Sequence, residues 1–101
     1  MRPLLPGDLD CAVAVVMAHP PESRAGVAQR LLFQADVADR YRKRLGRAHP
    51  DYGSGSLMSA ALSWPLGARG RVYDASYCAA LIVVLTAVQD WRARFGGHSA
   101  R

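Results

Sequence analysis

Residues 47–58 read RAHPDYGSGSLM and gather more side chains capable of chemistry than any other stretch of this 101-residue chain. His49 and Asp51 stand with one residue between them, a pairing too common by chance to mark a metal site. Ser54-Gly55-Ser56 precedes an apolar run, so it can open a helix whose first N–H groups lack internal partners. Such a helix end attracts anions, and Arg47 and His49 lie close to it in sequence. The candidate anion-binding or interaction loop is therefore Arg47, His49, Tyr52, Gly53, Ser54, Gly55 and Ser56. It is not a P-loop, because the Gly-x-x-x-x-Gly-Lys-Ser pattern is missing. A simpler reading treats the same residues as a joint. Ser54 or Ser56 caps the helix, Pro50 stiffens the turn and Tyr52 packs on the core as a staple.

Little else in the chain looks catalytic. His19, His49 and His98 are scattered without metal-ligand spacing, and neither Cys11 nor Cys78 has a base beside it in sequence. No Gly-x-Ser-x-Gly elbow, Cys-x-x-Cys pair or face-sharing carboxylate pair occurs. We expect no enzyme, no metal and no cofactor. Charge offers a second candidate site. Arg40, Arg42, Lys43, Arg44 and Arg47 place five cations within eight residues, with no acid among them. The net charge of +5 is thus a local patch, because the other eight basic residues balance the eight acids. Five cations could neutralise several nucleic-acid phosphates. A reader of sequence also needs a recognition helix or base-stacking aromatics, and this helix is too long and its basic end too fully charged to resemble a helix-turn-helix reader. Completing its own helix dipole is the more economical role, so a nucleic-acid partner is the alternative reading.

Two resemblances follow from these residues. YRKRLGRAHPD at 41–51, with Arg71, Tyr73 and Asp74 later, resembles the J-domain co-chaperones, where a basic helix leads into a His-Pro-Asp loop that engages a chaperone partner. That family requires a long helix between the tripeptide and the later Tyr-Asp. The intervening residues here hold Gly53, Gly55, Pro65, Gly67 and Gly70, so the tripeptide reads better as a turn. A second resemblance covers nearly the whole chain. Gly46, Arg47, His49, Pro50, Tyr52, Gly53, Gly55, Ser56, Leu57 and Met58 fill a G-R-x-H-P-x-aromatic-G-x-G-S-L-M segment. With the opening MRPLLPGD, this is similar to a family of small uncharacterised alphaproteobacterial proteins. The resemblance implies no activity.

The elements that must position these residues are helices. Asp8 reads as the N-cap of a first helix over Leu9–Ala18, stopped by His19-Pro20-Pro21. Apolar residues Val27, Leu31, Ala35, Ala38, Tyr41 and Leu45 recur at helical spacing and predict a long second helix over Pro21–Leu45, closed by Gly46. Asp36 and Arg40, and Asp39 and Lys43, are acid-before-base pairs four residues apart. A short third helix carries LMSAALS, and PLGARGRV forms a glycine-rich loop. Asp74 caps a fourth helix over Ala75–Phe95. Its run Leu81 to Leu85 is apolar on every face, so this helix is either central or an interface. Complete burial among three neighbours is difficult, which predicts a homodimer or a protein partner docked through the fourth helix. No stretch alternates like a strand.

The expected fold is all-α, a single four-helix bundle-like domain over 1–101 with loose ends at 1–6 and 96–101. One domain of this length can hold a core without disulfides. Cys11 and Cys78 then read as buried reduced thiols in a cytoplasmic protein. No apolar run approaches the ~20 residues that cross a bilayer. We expect a small, soluble, non-enzymatic interaction module.

Overall fold

A proline begins the first helix. In the computed structural model, which describes residues 2–65 and 74–96, α1 spans Pro6–Met17. Pro6 is suited to the first turn, where its preset φ helps and its missing N–H is no loss. Asp8 is therefore not the N-cap expected from the sequence. It lies in the first turn and reaches back, its Oδ2 accepting from the Leu5 N–H at 2.8 Å. A 3-10 turn at Pro21–Ser23 leads into α2, Arg24–Leu45. Gly46 closes α2 at φ +73°, its N–H donating to the Arg42 carbonyl at 2.7 Å. Then α3, Leu57–Ala61, is capped by Ser56, whose Oγ accepts from the Ser59 N–H at 3.1 Å. Finally α4 spans Ala75–Trp91 and runs into a π-helical turn at Arg92–Gly96. Asp74 caps it as expected, accepting from the Ser76 N–H at 2.9 Å. Among the described residues there is no strand, and the four helices pack into one all-α body.

The central element is α1, not α4. Every residue from Cys11 to Val16 is buried, because α2, α3 and α4 all pack on α1. The core joins Val13, Val15 and Val16 to Leu31 and Leu32 of α2, Leu57 of α3 and Val84 of α4. By contrast α4 buries one face, Tyr77, Ala80, Val84, Ala87 and Val88. Burial of each large aliphatic side chain contributes about 1.5–3 kcal/mol. Before Pro6, Leu4 packs on the core and the Arg2 N–H reaches the Gly55 carbonyl at 3.4 Å. Cys11 is buried, whereas Cys78 is only half-buried, a departure from the expected pair of buried thiols. The glycine-rich connection expected at 65–72 falls, after Pro65, outside the described residues, as does the C-terminal end beyond Gly96. No described helix is long and apolar enough to cross a membrane.

Candidate functional site

The His-Pro-Asp loop is organised by its histidine. The backbone N–H groups of Asp51 and Tyr52 both donate to His49 Nδ1, at 3.0 and 3.1 Å. Nδ1 is thus the ring nitrogen that accepts, and it is committed within the loop. The His49 N–H and carbonyl also pair with Gly53, at 2.8 and 3.2 Å, and close a tight bridge. Tyr52 does not staple the core. Its ring stacks on His49, 4.7 Å between centroids and 4° from parallel, and the imidazole also meets Tyr41 in a T-shaped contact, 4.8 Å between centroids. Aromatic pairs of this geometry stabilise by about 0.5–1.5 kcal/mol beyond burial. The side chains of Asp51 and Arg47 are exposed.

The glycines and serines that follow are engaged internally. Gly53 and Gly55 hold φ of +87° and +107°, conformations that favour glycine. A Cβ on Gly55 would lie 2.8 Å from the Asp39 Cα, so this glycine also lets the loop press against α2. The Ser54 N–H donates to Ser59 Oγ at 3.1 Å. At the start of α3 the Met58 N–H donates to Asp8 Oδ1 at 2.8 Å. Asp8 is only 4% exposed. A carboxylate of the chain itself thus stands where an external anion would bind, joining α1 to α3 across 50 residues. His19, the other described histidine, is likewise spent within the fold. Its Nδ1 lies 3.0 Å from the Val15 carbonyl and its ring edge meets Trp64 at 5.7 Å. Among the described residues, no three His, Cys, Asp or Glu side chains gather as metal ligands would.

Two of the five cations at the end of α2 are paired on the helix, as their spacing predicted. Arg40 meets Asp36 at 2.8 Å and Lys43 meets Asp39 at 3.1 Å. Asp39 is buried. Burial raises its carboxyl, but hydrogen bonding and nearby positive charge, Lys43 included, hold it below its ordinary value of 3.8. Arg42, Arg44 and Arg47 are exposed around the helix end.

The outer face of α4 is the third candidate. Ile82 is 63% exposed and Leu85 41% exposed, and no charged residue occurs between Ala75 and Gln89. Beside Ile82 lies a hollow of about 160 Å³ between α2 and α4, walled by Ala25, Gln29, Val83, Thr86, Ala87 and Asp90. The uncharged helix face, its protruding isoleucine and the adjoining hollow form one continuous surface.

The chain from residue 2 to residue 88 matches the model of a family described as a domain of unknown function (DUF7742). The chain belongs to that family. No curated protein and no solved structure matches it. The matched span takes in all four helices up to Val88 of α4, together with the His49–Met58 loop, so this family's shared region is the helical body itself. The five-residue α3 also lacks the long third helix that the J-domain resemblance implies.

Sequence reasoning missed two groups of residues. Asp8 was legible as a helix-start residue, but its bond to Met58 depends on folding. Phe33, Trp91 and Phe95 were not singled out at all. The structure brings them together at the C-terminal end of α4, with Trp91 and Phe95 rings 4.5 Å apart. A residue at 33 and two near 93 share no local pattern, so only the packing of α2 on α4 could reveal the cluster.

Proposed function

We propose that this chain is a non-enzymatic interaction module of the bacterial cytoplasm that pairs with a second copy of itself through the outer face of α4. One observation carries the reading: on that face a protruding Ile82 adjoins a hollow sized for an aliphatic side chain. A contact between two identical faces needs knob and hole on the same patch, and this patch has both. Charge argues for a second copy. The excess charge of +5 is concentrated at the basic end of α2, so two copies approaching through that end repel each other. The face from Ala75 to Gln89 carries none. A monomer rarely leaves such a patch without use.

The contact is small. A helix of 17 residues is about 25 Å long, which suits a transient dimer rather than an obligate one. The cytoplasmic setting is supported by a cysteine content of two, widely spaced, where a small secreted domain would carry more, and the alphaproteobacterial origin by the segment at 46–58. Sedimentation velocity over a concentration series tests the reading. The 10.9 kDa chain should convert towards twice that mass as concentration rises, and high salt should not reverse it, since an apolar contact is little screened. Ile82→Glu should leave a monomer with unchanged circular dichroism. A wild-type chain still wholly monomeric at about 1 mM, where a contact worth only ~4 kcal/mol would already assemble, would overturn the reading.

A further inference from the structure

We propose that the groove between the N-terminal segment, the middle of α2 and the end of α4 is a binding site for single-stranded nucleic acid. It holds about 630 Å³ and is lined mainly by cations and aromatic rings, with Pro3, Leu4 and the carboxylate of Asp36 beside them. Arg2, Arg40 and Arg92 supply cations, and Phe33, Trp91 and Phe95 supply aromatic faces. Phe33 is 53% exposed and Phe95 57% exposed, both large for aromatic rings in a soluble chain. Trp91 anchors the cluster from below, half-buried against the core.

This combination is what a single strand requires. Bases stack on aromatic faces without regard to sequence, while cations follow the phosphates. At the basic end of α2 the one aromatic ring, Tyr41, is engaged with His49, and the fold delivers three further rings to the groove from 33, 91 and 95. The cationic track also continues past the groove. A second hollow of about 390 Å³ shares Arg2 and Pro3 with the first and adds Arg42 and Lys43. Together the two hollows present Arg2, Arg40, Arg42, Lys43 and Arg92, five cations against the carboxylates of Asp36 and Asp39. Those two carboxylates already pair with Arg40 and Lys43. The surplus is positive and extended, which suits a strand of several phosphates more than one nucleotide. A duplex would hide its base faces from the aromatic cluster. Trp91 lies half a turn around the helix from Ile82, and the aromatic cluster meets the hollow beside Ile82 only at Gln29, Ala87 and Asp90.

Fluorescence anisotropy of a labelled oligodeoxythymidylate of about 12 nucleotides with the full chain tests the site. At low salt the strand should bind, and affinity should fall linearly with the logarithm of salt concentration. Phe33→Ala and Phe95→Ala, both at exposed positions, should each weaken binding about 5- to 150-fold, the range for losing one stacked base. Arg2→Ala and Arg92→Ala should each reduce the salt slope by about 1. In a Trp64→Phe background, its fold verified by circular dichroism, the remaining Trp91 emission should be quenched by the strand. The proposal is overturned by no binding at low salt, or by equal affinity for a duplex of the same length. It fails equally if thymidine monophosphate or polyglutamate binds as tightly as the strand, or if Arg44→Ala and Arg47→Ala reduce binding as much as Arg2→Ala and Arg92→Ala.

Discussion

Replacing Asp8 with alanine should loosen the joint between α1 and α3 more than any change at the neighbouring surface. The carboxylate is buried and accepts two backbone hydrogen bonds, from Leu5 and Met58, each at 2.8 Å. Hydrogen bonds to a charged group stabilise by roughly 1.5–3 kcal/mol each. Both bonds are only partly buried, and Leu5 and Met58 are both exposed residues, so water recovers part of each. The working figure for Asp8→Ala is therefore about 2–4 kcal/mol, a large share of the stability of a domain this size. Urea denaturation followed by circular dichroism measures it. Native-state hydrogen exchange should show Met58 and Ser59 losing protection first, ahead of α2. Asp8→Asn should fall between, because its amide can accept only one of the two bonds. A loss below about 0.5 kcal/mol, typical of an ordinary surface substitution, would refute the claim that Asp8 joins the two helices.

Further consequences follow from the same structure. Gly55→Ala should destabilise by about 2–4 kcal/mol, combining a φ of +107° with a Cβ only 2.8 Å from the Asp39 Cα; thermal unfolding reads this directly. Asp39 has a folded-state pKa below its ordinary value, so its contribution is present above about pH 4 and lost as pH falls through the depressed value. Lys43→Met should flatten that acid limb of a stability–pH curve. Tyr77 behaves in the opposite sense. Burial first, then the charge of Asp10 3.5 Å from its hydroxyl, push the phenol above 10.0. Its contribution is therefore complete below pH 10 and disappears as pH rises through the raised value. Tyr77→Phe should remove that alkaline loss in the same titration.

Helix identities were legible wherever capping chemistry was local. Gly46 ended α2 and Asp74 began α4 where the sequence placed them, because each cap needs only its own neighbours. Asp8 was misplaced by three positions, since an aspartate in the first turn and one at the N-cap look alike in sequence. Pro6 was the better signal for the helix start. The all-round apolar pattern of α4 was real, but the buried central helix proved to be α1, whose run from Cys11 to Met17 is equally apolar. Hydrophobic periodicity reports which helices lack a polar face and does not rank which one the others surround. The His-Pro-Asp turn was recognisable as a turn. What holds it, one ring nitrogen accepting two N–H groups between two tyrosines, depends on atomic placement. The aromatic groove was invisible because its parts lie some 58 residues apart along the chain and meet through α2 and α4.

The pairing of two copies through α4 is tested most directly by crosslinking across the proposed contact. Gln89→Cys, exposed on the same face two turns from Ile82, in a Cys78→Ser background leaves one other cysteine, Cys11, which is buried. A short bifunctional maleimide should then join two chains efficiently through position 89, while Arg47→Cys in the same background, exposed just beyond the end of α2, should not crosslink. Equal crosslinking at the two positions, or none at position 89, would contradict the account.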